Sequence, residues 1–126
     1  MTSVEPITIG TFNLTGIANI REIVGDINQS IVILQNAGDE QMAEILKDIG
    51  NAVIMDSRFE RQACQAILEA LRMLGWEASL PSAERHLGIV KAELAYIPML
   101  LHADLNVLNY FQAHSNDLRH FFGIPE

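Results

Sequence analysis

The sequence predicts an α+β fold, with a short N-terminal β segment of two or three strands followed by a bundle of three or four helices. Three observations predict it. Up to Gln35-Asn36-Ala37-Gly38 the chain is rich in Ile, Thr, Gly and Asn and keeps no helical period. Beyond that point, amphipathic segments follow one another, each with a start or stop signal. With 126 residues, 49% of them hydrophobic, the chain can bury a core of its own as one domain spanning residues 1–126. Within it, 1–35 form the β-rich part and 39–123 the helical part.

Residues 1–6 read as a tail. Ile7-Thr8-Ile9 alternates in the strand manner, and Gly10, Gly16 and Gly25 punctuate the stretch beyond it. Phe12 and Leu14 would share one face of an extended segment. Ile17, Ile20, Ile23 and Val24 fit helical spacing, but their β-branched side chains favour a strand, and the periodicity leaves both open. Gly25-Asp26 reads as a turn. Ile31-Val32-Ile33-Leu34 suits a strand buried on both faces.

The helical part is plainer. Asp39 can cap a helix from Glu40 that carries Met42, Ile45, Leu46, Ile49 and Val53 on one stripe. Gly50 weakens that helix by about 1 kcal/mol relative to alanine. Ser57-Arg58-Phe59-Glu60 has the form of a capping box. The helix it opens presents Ala63, Ala66, Ile67, Ala70, Leu71 and Leu74 and is expected to stop at Gly75. Pro81-Ser82 opens a third helix, with Leu87, Val90, Leu94, Ile97 and Leu101 along one side and a kink at Pro98. Asn116-Asp117 starts a last turn ending at Phe121-Phe122-Gly123.

Eight basic against sixteen acidic residues give a formal charge of −8. An acidic chain without a basic cluster lacks the footprint of a nucleic-acid binder and is not drawn to anionic membranes. Cys64 is the only cysteine, which excludes an intrachain disulfide and fits a reducing, cytoplasmic setting. No basic stretch precedes an apolar one at the start, so no signal peptide is expected, and the sequon Asn13-Leu14-Thr15 reads as chance. The apolar stretch from Ala92 to Phe111 carries Glu93, His102, Asp104, Asn106 and Asn109, too polar for a membrane span.

No chemistry declares itself. His114, Asp117 and His120 recur every third residue, but without a His-Glu-x-x-His spacing or a cysteine pair they read as exposed side chains at a helix end, and no metal is expected. Cys64 has Arg61 one turn away and no histidine nearby in sequence, so a buried structural role outweighs a nucleophilic one. The glutamates interleave with Arg58, Arg61, Arg72 and Arg85 as on solvated faces. The glycines are too widely spaced for a phosphate loop, and no cofactor is expected.

Interaction with other protein chains is the function this pattern favours, ahead of an enzymatic one. Two or three short strands cannot close a barrel, and their edges need covering. Strand exchange between copies would supply the cover, making the chain a homo-oligomer with Ile7, Ile9, Ile31 and Ile33 at the interface. Trp76, just past Gly75, is a candidate anchor for a second partner. The alternative is a small-molecule site or an enzyme pocket near the Pro98 kink, drawing on Tyr96, His102, Asp104 and Tyr110. A lesser one is an acidic inhibitor that finds a basic partner protein through its charge.

Gly25-Asp26-Ile27-Asn28-Gln29-Ser30-Ile31, Leu68-Glu69-Ala70-Leu71, Lys91-Ala92-Glu93-Leu94-Ala95-Tyr96-Ile97-Pro98 and Phe121-Phe122-Gly123 together carry a family likeness over residues 25–123. They resemble small helical domains at the ends of bacterial multidomain proteins, beside pentapeptide repeats or signalling NTPases of conflict systems. The resemblance implies an adaptor or self-association module, with no catalytic residue to carry over.

Overall fold

In the computed structural model, residues 5–7, 19–56 and 58–125 are described, and among them there are six α-helices and no strand. The α+β expectation is therefore corrected to an all-α fold. The helices are α1 (Ile20–Asn36), α2 (Glu40–Met55), α3 (Arg61–Ser79), α4 (Leu87–Leu100), α5 (Leu105–Ala113) and α6 (Ser115–Phe122), with short 3-10 turns at Ser82–Glu84 and Leu101–Ala103. Residues 8–18, which hold Ile9, lie outside the described residues.

The correction falls on α1. Ile20, Ile23, Val24, Ile27, Ile31 and Leu34 follow one another along a single helical stripe, and all but the half-buried Ile20 are buried. Burying that stripe against α2 and α3 outweighs the β preference of its residues and the weakness of Gly25, which lies exposed in mid-helix. Gly25-Asp26 is thus no turn, and Ile31 to Leu34 no strand. The change of pattern at residues 35–38 marks a joint between two helices. Gly38 takes φ 88°, the Asp39 amide donates to Leu34 O at 2.8 Å, and the Gly38 amide donates to Gln35 O at 3.1 Å. This reverse turn satisfies the last carbonyls of α1 and needs the left-handed conformation that glycine adopts freely. Gly123 repeats the device after α6, with the Ile124 amide donating to Arg119 O at 2.8 Å and the Ile124 side chain buried.

α3 lies at the centre, packed on α1, α2 and α4. It runs through Gly75, where the sequence suggested a stop, because Gly75 faces α1. A Cβ there would stand 2.9 Å from Ser30 Cβ, so its absence lets the two helices touch. The helix ends at Ser79, where Arg85 binds the carbonyls around its end: Nε donates to Glu77 O (3.1 Å) and Leu80 O (3.2 Å), and Nη2 to Ala78 O (2.9 Å). Phe121 lies 4.7 Å from the same guanidinium, which ties α6 to the end of α3. Arg85 is therefore a helix cap rather than a surface ion-pair partner. Glu60 occupies the cap position of α3, Ser57 lies outside the described residues, and the third predicted helix begins at Leu87, after the 3-10 turn that Pro81 introduces. Pro98 sits within the last turn of α4, and the chain passes directly into the 3-10 turn at Leu101.

The N-terminal segment is docked without being a strand. The Ile7 amide donates to Asn28 Oδ1 at 2.8 Å, and Asn28 Nδ2 donates back to Ile7 O at 3.2 Å. The Ile7 side chain, 3% exposed, fills the space over Gly50, where a Cβ would be 2.5 Å from its Cδ1. Gly50 thus exchanges helix propensity for a contact. With Ile7 and Ile31 both in the chain's own core, the strand-exchange interface loses its basis.

Candidate functional site

A groove of about 640 Å³ opens between α1, α3 and α4. Helical spacing explains why one surface collects its lining. On α1, Asp26, Gln29, Ser30 and Ile33 fall at spacings of three, one and three, along the edge of the buried stripe. On α3, Ala66, Glu69, Ala70, Met73 and Trp76 do the same. Small Ala66, Ala70 and Ser30 leave room where α1 and α3 run together. α4 adds Glu93 and Tyr96, one turn apart.

The groove is apolar with an acidic margin. Ile33 is 43% exposed, Met73 40%, Trp76 59% and Tyr96 45%, fractions far above those of the core. α4 is apolar on both sides: Val90 and Ile97 are buried, while Leu87, Ile89, Tyr96 and Met99 face outward. A surface helix usually turns a polar face to water, and α4 instead exposes apolar side chains there. Of the three carboxylates on the lining, Asp26 and Glu69 lie 3.6 and 4.0 Å from Arg72. Glu93 pairs with no cation among the described residues, and burial pushes its carboxyl above the ordinary range.

Of the four residues of the small-molecule reading, Tyr96 alone lines the groove. Tyr110 donates from its hydroxyl to Asp48 Oδ2 at 2.7 Å, tying α5 to α2, and desolvation followed by that bond pushes its ionisation well above the usual phenol range. His102 is exposed on the 3-10 turn after α4. Asp104 is the cap of α5, accepting from the Asn106 amide at 2.9 Å and from Arg58 Nη2 at 3.1 Å. Arg58 also donates to Asp56 Oδ1 at 3.1 Å through Nε, so one guanidinium joins the end of α2 to the start of α5.

Elsewhere, Cys64 is buried and its thiol is pushed up by desolvation, the reverse of an activated nucleophile. His114 Nδ1 is 3.4 Å from Asp117 Oδ2, and among the described residues no three histidine, cysteine or carboxylate groups gather as metal ligands. Buried Glu77 accepts from the His86 amide at 2.6 Å and lies 3.0 Å from His86 Nδ1, bracing the turn before α4. No helix of the described residues is long and apolar enough to cross a membrane. Ile33 and Trp76 line the groove, whereas Ile7 and Ile31 are buried. Sequence reasoning missed Met73, Ala66 and Glu93 as members of one site. The period of Ala66 and Met73 was legible on α3, but the partner face of α1 was hidden by reading it as strand.

No family model, curated protein or solved structure matches the chain.

Proposed function

We propose that this protein is a non-catalytic interaction module that receives an amphipathic helix of a partner protein in the groove between α1, α3 and α4. The observation that carries the reading is the gathering of exposed Ile33, Met73, Trp76 and Tyr96 from three helices around one concave surface. Helix-in-groove recognition uses apolar anchors at spacings of three and four against such a trough, and aromatic side chains supply a large part of the energy at interfaces. The adaptor role implied by the family resemblance agrees with this reading.

Trp76 is the chain's single tryptophan, so its emission reports groove occupancy directly. A synthetic helix of about 18 residues (roughly five turns), with a leucine face and glutamine elsewhere, should shift that emission to the blue on titration. Ile33→Asp and Met73→Asp should weaken binding at least ~10-fold while leaving the helical circular dichroism unchanged. Light scattering over a wide concentration range tests a different occupant: a dimer dispersed by Ile33→Asp would mean that a second copy fills the groove. Binding unaffected by both aspartates would overturn the reading.

A further inference from the structure

The groove also carries information about the charge of what enters it. Asp26 and Glu69 already have Arg72 within 4.0 Å, which leaves Glu93 as the lining carboxylate without a cation among the described residues. Glu93 is half-buried on α4, and Tyr96 stands one turn further on, so carboxylate and ring project from the same stripe. Trp76 contributes a second exposed ring to the same cavity. A carboxylate removed from water without a partner is unfavourable, and a cation brought to it gains both the ion pair and the ring faces.

Resting on the helix-in-groove reading, we infer that the partner helix is basic, with a lysine or arginine beside its apolar face that is received by Glu93 in the company of Trp76 and Tyr96. Charge complementarity selects this occupant, since the groove margin holds three carboxylates against one guanidinium and the whole chain carries −8. An acidic helix would add like charge at an unneutralised carboxylate. A neutral one would bind through its apolar face alone.

Three synthetic helices with the same leucine face, and glutamine, lysine or glutamate at the polar positions, separate these cases when titrated against the full chain with Trp76 emission as readout. The lysine helix should bind ~3- to 10-fold tighter than the glutamine helix at fixed moderate salt, and the glutamate helix more weakly. Glu93→Gln should remove most of the lysine advantage. Glu22→Gln, which loses the same unit of charge at an exposed site outside the groove, should preserve it. Equal losses from both variants would reduce the effect to net charge and overturn the Glu93 inference while leaving the groove standing, provided the glutamine helix still binds. A lysine advantage intact in Glu93→Gln would overturn it in the same way. Silence of Trp76 towards all three helices would sink the groove reading itself.

Discussion

Asp56 closes α2 and Asp104 opens α5, and their carboxyls meet under the Arg58 side chain. Asp56 Oδ2 is buried and has no hydrogen-bond partner among the described residues. Hydrogen bonding with the Asp104 side chain, then with the Arg58 amide, outweighs desolvation and holds the Asp56 carboxyl below its ordinary range. A carboxyl whose folded value is depressed stabilises the fold fully above its unfolded value near ~3.9 and loses that contribution as pH falls through the folded value. Stability to urea should therefore drop below about pH 4 more steeply in the wild type than in Asp56→Asn, with the two curves running parallel above about pH 5. Parallel curves throughout would mean that Asp56 contributes nothing through its charge. None of this could be read from sequence, because Asp56 and Asp104 are far apart along the chain and only the fold joins them.

At the scale of elements, legibility followed the length of the pattern inspected. α2 was visible from Asp39 because its stripe runs unbroken and its start is acidic. α1 was not, because Gly25 divided one stripe into two short pieces, each too brief to tell helix from strand. Counting from Ile20 to Leu34 without stopping at the glycine would have recovered it. Gly75 misled in the same way: helical glycine reads as a terminator, but here it is the point where α3 meets Ser30. Helix propensity alone predicts that Gly75→Ala stabilises the protein by about 1 kcal/mol. The added Cβ would lie 2.9 Å from Ser30 Cβ, an atom that cannot rotate away, so α1 must shift and overpacking costs about 1–3 kcal/mol. Gly75→Ala should thus lower the urea midpoint in the wild type. In a Ser30→Gly background the same substitution should become neutral or stabilising, and strict additivity of the two changes would refute the close-contact account.

For the whole molecule, one hydrophobic cluster draws on all six helices and on Ile7, with α3 running through it. That arrangement supports the groove, since its apolar walls belong to helices whose opposite faces are fixed in the core. It also predicts cooperative opening. Cys64 is 5% exposed on α3 and its thiol is pushed up by burial, so a thiol reagent needs the helix to leave the core before it can react. The free energy obtained from labelling rates under fast reclosing should equal the global unfolding free energy and depend on urea with the same slope. A labelling free energy well below the global value would show α3 opening locally, and a groove built on it would be only partly formed. Because α3 supplies the groove's floor, occupancy must also protect Cys64, although no ligand atom need reach it. At a leucine–glutamine helix concentration about 100 times its dissociation constant, labelling should slow about 100-fold, the linkage expected of a ligand that binds only the folded state. Blue-shifted Trp76 emission without slower labelling would instead place the helix on a surface that persists when α3 opens, which the packing of α3 between α1 and α4 does not permit for the groove.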